Sequence, residues 1–215
     1  MDIADLQRAL TSQSGITPEL LEQGNDIFLQ IPEHKIRQWG GLITLILQQF
    51  LNHFECRAED NDTPILFLLD EFARFGKLEG IVHGLATLRS KKITICILIQ
   101  SLAQLDATYG QEQRKIIADN CSYKAILRAT DAETQRYFSQ LVGTEEHEQR
   151  NESGKPLLWG KITRIDSVSY SMVERPRIKP EEFAYLEDIV LLTPYGFSRV
   201  EKVPYYQMQG RQPLS

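Results

Sequence analysis

Residues 65–78 read ILFLLDEFARFGKL. Five apolar residues run without a break into two adjacent carboxylates, Asp70 and Glu71, the pattern of a buried parallel strand that carries charge to a nucleotide site at its carboxyl end. A phosphate-cradling loop of the form G-x-x-x-x-G-K-[ST] should accompany such a strand. None of the pairs Gly76-Lys77, Gly154-Lys155 and Gly160-Lys161 has that spacing. The stretch therefore reads as the carboxylate half of a nucleotide triphosphatase whose phosphate loop lies elsewhere.

On either side of this stretch the chain alternates between helix and strand periodicity. Ile36, Trp39, Ile43, Ile46, Phe50 and Phe54 recur every three or four residues and predict a long amphipathic helix from Pro32. After the strand at 65–70 come a helix near 78–89, a strand at 93–99, a helix near 111–119, a strand near 122–128 and a helix near 131–141. This β-α-β order predicts an α/β fold with a mostly parallel sheet. Ahead of it, Thr17, Pro18 and Gly24 frame the end of a helical region over residues 1–24, and 26–31 reads as a strand. Beyond Gly143, the charged run TEEHEQRNESG (144–154) predicts a mobile loop, and 162–173 an edge strand or hairpin. A short helix from Pro180 and two closing strands follow, with a disordered tail after Tyr206.

The composition fits a soluble globular domain: of 215 residues, 42% are hydrophobic and 25% charged. No stretch approaches the roughly 20 apolar residues needed to span a bilayer. The amino terminus lacks the basic flank and apolar run of a secretory signal. Cys56, Cys96 and Cys121 are too scattered for metal ligation and odd in number for pairing, which suits a reducing compartment. Cys96, between isoleucines, reads as a buried and inert thiol. A net charge of -5 disfavours a surface devoted to nucleic acid, although Arg74, Lys77, Arg89, Lys91 and Lys92 cluster in sequence.

The candidate chemistry lies at strand ends. An Asp such as Asp70 can hold magnesium through its waters, and a neighbouring Glu such as Glu71 can polarise an attacking water. Gln100 leaves the next apolar run where open α/β sheets place ligands, and its amide could sense a terminal phosphate; a turn or capping amide is the plainer reading. Arg89 closes the intervening helix. Its guanidinium suits charge on a transferring phosphoryl group, but also simply a helix carboxyl end. The four histidines have no metal spacing.

Taken together, LLDEFARFGKL, LRSKKITICILIQSLAQLDATYG (88–110) and NCSYKAILRATDAETQRYFSQLVG (120–143) resemble the type IV secretion coupling proteins of the TraG/TraD kind. DIFLQIPEHK and RPRIKPEEFAYLEDIVLL extend the resemblance over residues 16–207. It implies a RecA-like, FtsK-related P-loop ATPase that uses ATP and magnesium and works as a membrane-anchored homo-hexamer in conjugation. Such proteins sit at the cytoplasmic face of the cell membrane and pass relaxase, relaxosome and DNA substrates to the channel proteins of the secretion system. Carried over, Asp70 and Glu71 match the Walker B acids, with Asp70 at the metal, Gln100 the phosphate-sensing glutamine and Arg89 the arginine presented to a neighbour's nucleotide. The family's phosphate loop, helical substrate-receiving domain and membrane helices have no counterpart here. Residues 1–24 are then expected to end that helical domain, 25–207 to be the carboxyl-terminal part of an incomplete nucleotide-binding domain and 208–215 a tail.

On this reading the chain is a fragment that binds no cofactor and hydrolyses no ATP by itself, since nothing surrounds the β and γ phosphates. The alternative is a free-standing, non-catalytic module that docks with relaxosome proteins or an intact coupling subunit. A third reading, the related motor that drives pilus assembly, is disfavoured by the FARFGKL and QSLAQL wording.

Overall fold

The computed structural model describes residues 15–156 and 162–207. The chain divides into two compact units, residues up to Cys121 and residues from Ser122.

In the first unit a short helix α1 (Glu19–Glu22) precedes the long helix α2 (Ile36–Glu55). Ile43, Phe50 and Phe54 of the expected stripe are buried along one side of α2, joined by Leu47 and Leu51, whereas Ile36, Trp39 and Ile46 are only half-buried. The buried residues cover one face of a two-stranded parallel sheet, β1 (Ile65–Leu69) and β2 (Ile93–Ile97). β1 turns Ile65, Phe67 and Leu69 toward this core, and Phe54 meets Phe67 edge-on at 5.9 Å. Helix α3 (Glu79–Thr87) crosses between the strands, as a parallel pair requires. Its Gly84 is buried, and a Cβ there would come within 3.2 Å of Leu88 Cδ1, so the glycine allows the close approach. Helices α4 (Leu102–Tyr109) and α5 (Gln111–Asn120) follow.

Two expectations change here. Residues 26–31 join no ladder: the segment runs without strand pairing, with Ile27 and Ile31 partly buried against the core. A strand pattern specifies a strand only when a partner is at hand. α4 occupies what reads as a turn after Gln100; Leu102, Leu105 and Tyr109, at helical spacing, are its buried face.

The second unit holds an antiparallel sheet in the order β3-β6-β7, comprising β3 (Lys124–Ile126), β6 (Asp188–Thr193) and β7 (Gly196–Glu201). Helix α6 (Ala132–Val142) starts at Asp131, whose carboxylate accepts the Thr134 N–H at 2.8 Å. Ile126, Val142, Ile178, Phe183, Val190 and Leu192 form the core. The α/β class stands, but β3 does not continue the parallel sheet. Helix-strand alternation gives strand order without saying which sheet a strand joins. Here the β6–β7 hairpin, bringing buried Val190 and Leu192, takes Ile126 as its neighbour.

Residues 144–154 are also not a loop. They lie within β4 (Thr144–Pro156), which pairs antiparallel with β5 (Ile162–Pro176) as a long two-stranded ribbon. Residues 144–151 are all exposed, so no apolar alternation marks the strand. Cross-strand backbone bonds with the Val- and Tyr-bearing β5 supply the order. The tail expected at 208–215 falls outside the described residues, as do residues 1–14 of the expected helical region. Among the described residues no helix is long and apolar enough to cross a membrane.

Candidate functional site

The register of β1 against β2 fixes the site. Leu69 lies opposite Ile97, and pairing continues one step further: the Leu98 N–H donates to the Leu69 carbonyl at 3.0 Å, and the Phe72 N–H to the Leu98 carbonyl at 3.2 Å. Leu98 is thus clamped between residues 69 and 72. Asp70 and Glu71 occupy the bend between them, and Gln100 follows two residues beyond Leu98. All three leave the carboxyl end of one parallel pair, where open α/β sheets present ligand-binding groups.

Glu71 has φ 48°, in the left-handed region, which costs a non-glycine residue about 1 kcal/mol. Its N–H donates to Asp70 Oδ1 at 2.9 Å, and its carboxylate pairs with Arg74 at 2.8 Å. The turn that holds it, Phe72–Phe75, is tied on both sides. Thr44 of α2 donates its hydroxyl to the Phe75 carbonyl at 2.9 Å, and Thr108 of α4 donates to the Ala73 carbonyl at 3.2 Å. Phe72 is buried and stacks on Tyr109 at 5.4 Å. Gln100 is exposed, and its amide oxygen takes a long contact, 3.4 Å, from Gln104 Nε2.

Tyr109, part of the stretch that carries the family resemblance but given no role by the sequence, braces this turn. Its hydroxyl accepts the Leu78 N–H at 3.1 Å, and burial pushes its pKa up to about 12 from the ordinary 10, against the opposing effect of that N–H. Between pH 10 and 12 the unfolded chain has lost the phenolic proton and the folded one retains it, so stability falls as pH rises through this window. Tyr109→Phe is expected to flatten that fall, by roughly 2 kcal/mol at most, as read from urea unfolding at about pH 9 and about pH 11.5.

Arg89 is not brought to the acids. It lies in the 3-10 turn Leu88–Lys91 ahead of β2, at the opposite end of the parallel pair. The strands alone separate the two ends by about 13 Å. The basic cluster is split in the same way. Arg74 and Lys77 follow β1, whereas Lys91 and Lys92 precede β2, so these residues do not form one patch at either end. Cys96 corrects another expectation: it is exposed, because among the described residues β2 is covered on one face only.

Among the described residues no group of three or more His, Cys, Asp and Glu could hold a metal ion by itself. A single strand-end carboxylate with a nearby amide fits magnesium of the kind that keeps most of its waters and takes its remaining ligands from a nucleotide's phosphates. The donor set suits metal-nucleotide better than free metal.

Residues 64–188 match the sequence family described as the TraM recognition site of TraD and TraG. VirD4 of Rhizobium rhizogenes is 27% identical over 208 residues, covering 94% of this chain and 30% of VirD4. The conjugal transfer protein TraG of Agrobacterium fabrum is 27% identical over 180 residues, covering 82% of this chain and 27% of TraG. The chain thus spans about a third of the length of the curated relatives it matches. Among solved structures, the unbound conjugative coupling protein TrwB superposes with a TM-score of 0.70 at 19% identity, over 86% of this chain and 42% of that one. TrwB in complex with ADP and Mg2+ superposes with a TM-score of 0.67 at 20% identity and the same coverage. These two likenesses establish the fold.

Proposed function

The chain belongs to the family described as the TraM recognition site of TraD and TraG, and from that premise we propose that it is the carboxylate-bearing part of a conjugative coupling ATPase. The complete protein links relaxosome and DNA substrates to a type IV secretion channel from the cytoplasmic face of the membrane, as a homo-hexamer. The observation that carries this reading is the pairing at Leu98, which sets Asp70, Glu71 and Gln100 at one end of β1 and β2.

Asp70 would hold magnesium through bound water, with the metal's other ligands drawn from the nucleotide phosphates; when bound, the metal neutralises charge developing on the transferred group. Glu71 orients water and takes its proton, and Gln100 offers its amide to the terminal phosphate. Arg89, remote from these groups, serves a neighbouring subunit's nucleotide. Support for the nucleotide comes from TrwB, solved with ADP and Mg2+. Without a phosphate loop, the chain alone binds no nucleotide and turns none over.

The test is a hybrid in which this chain replaces the matching third of Rhizobium rhizogenes VirD4. Magnesium-dependent binding of a fluorescent ATP analogue is expected, weakened about tenfold or more by Asp70→Asn through loss of the metal's anchoring charge. Equal affinity for wild type and variant would remove the assignment. A second reading, a docking module for a relaxosome protein, is favoured by the family's description, which names TraM recognition. Retention of a TraM-type protein by the chain without nucleotide would support it, and nucleotide-dependent retention by the hybrid alone would exclude it.

A further inference from the structure

Gln100 leaves the sheet, and Gln104 meets it from the first turn of α4. The Gln100 backbone N–H donates to Gln104 Oε1 at 3.2 Å, and Gln104 Nε2 donates to the Gln100 side-chain Oε1 at 3.4 Å. A glutamine amide has one end that only accepts and one that only donates. The backbone N–H can only donate, so it fixes which end of Gln104 faces it. Gln104 then turns its nitrogen toward the Gln100 side chain, which can receive it only with oxygen. What remains is the Gln100 nitrogen, with its N–H groups to give. Two amides in series thus carry the polarity of one backbone group out to an exposed side chain.

Capping alone does not call for an amide at position 104. Ser101, at the N-cap, makes no side-chain cap bond, and Gln104 instead receives the backbone donor just ahead of it. A glutamate at this third helical position would do that as well or better. Only the second bond, to the Gln100 oxygen, needs a nitrogen. The same side of α4 also braces the acids. One turn beyond Gln104, Thr108 donates its hydroxyl to the Ala73 carbonyl at 3.2 Å, and Tyr109 stacks on Phe72 at 5.4 Å. The residue that orients Gln100 therefore stands on the helix that holds the turn after Glu71.

We propose that Gln104 is a positioning residue: it sets the polarity of the Gln100 amide so that nitrogen, not oxygen, is the end left for a ligand, as an anionic oxygen requires. That this anion is a nucleotide's terminal phosphate rests on the proposed function; the polarity rests on the two hydrogen bonds. An N–H aimed at such an oxygen attracts it, whereas an amide oxygen in its place repels it. Donation outward also makes the Gln100 oxygen a better acceptor, which strengthens the 3.4 Å contact.

The test is Gln104→Glu, which keeps side-chain length and the acceptor for the Gln100 backbone N–H but puts an acceptor where the donor was. In the chain alone, the melting temperature should stay within about 2 °C of wild type or rise. The Gln100 amide should turn over and donate to the new carboxylate, read by NMR as a downfield shift of one of its side-chain N–H resonances. In the VirD4 hybrid, the preference for a fluorescent ATP analogue over the matching ADP analogue should fall about tenfold or more. Affinity for the ADP analogue should change by about twofold or less, whereas a charge acting through space would weaken both. Added to Gln100→Ala, Gln104→Glu should cost no further preference, since no amide remains to be turned.

A Gln100 resonance that does not move, or a loss of preference that persists in full without the Gln100 amide, would overturn the proposal. A variant that melts more than about 5 °C below wild type would do the same, by making Gln104 a support of the fold. An unchanged preference in Gln104→Glu overturns it where Gln100→Ala lowers that preference. Where Gln100→Ala leaves the preference unchanged as well, the terminal phosphate is lost as the ligand of Gln100, and the polarity set by Gln104 stands on the shifted resonance.

Discussion

Glu71→Gln in the VirD4 hybrid is expected to lower ATP turnover by about a hundred- to a thousandfold, the loss typical of removing a positioned general base. Nucleotide affinity should stay within about twofold, because the binding contacts assigned to Asp70 and Gln100 remain. The substitution preserves size and backbone preference, so the left-handed bend at φ 48° is kept and misfolding is no explanation for lost turnover. Arg74 provides the internal control. It holds the Glu71 carboxylate at 2.8 Å, and during turnover that contact competes with water for the same oxygens. Arg74→Ala should therefore leave more turnover than Glu71→Gln does. A single-turnover measurement of phosphate release separates the chemical step from product release, and an unchanged chemical step in Glu71→Gln would strip Glu71 of its assigned role.

Asp70, Glu71 and Gln100 were legible in the sequence because they are discontinuities: charge and amide where apolar runs stop. Strand ends in a parallel sheet converge, so two such discontinuities separated by a helix point to one place, and the ladder through Leu98 brings them there. The same reasoning misplaced Cys96. A run such as ITICILI looks buried on both faces, and the sequence of a strand cannot say whether both of its coverings lie in the same chain. Residues 144–154 read as a loop for the opposite reason, since 144–151 are all exposed and carry no apolar period. The strand partner of β3 was hidden as well, because sheet membership depends on a hairpin far along the chain, at Asp188–Glu201.

Arg57 was also hidden, and its replacement carries the largest expected cost in stability. In the sequence it sits in a polar run, CRAEDND, that reads as a loop, yet it is 6% exposed. Its guanidinium donates to the Lys91 carbonyl at 2.9 Å, to the Thr63 carbonyl at 2.8 Å and to Asn61. Its Nε lies 3.0 Å from Glu22 Oε1, an ion pair whose angle is too poor for a hydrogen bond, which is why that nitrogen has no hydrogen-bond acceptor. Arg57→Ala takes the guanidinium from two carbonyls and leaves the Glu22 carboxylate with the Asn61 amide but without its cation, a loss of about 3 kcal/mol, or roughly 10–20 °C in the melting of the first unit. Arg57→Lys retains the charge without the planar fork and should recover only part of this. Glu22→Gln, at a side chain still in contact with water, should cost no more than about 1 kcal/mol. The consequence reaches the site through register. Arg57 holds the Lys91 carbonyl, and the adjacent Lys92 carbonyl accepts the Ile65 N–H at 3.2 Å, the bond that starts β1 against β2. Loosening that start frees the pairing that places Leu98 between residues 69 and 72, so in the hybrid Arg57→Ala should weaken nucleotide binding well below the temperature at which it unfolds. Thermal melting and nucleotide titration at about 20 °C together check this. A melting point unchanged from wild type would show that the buried guanidinium does not set the frame on which the acids stand.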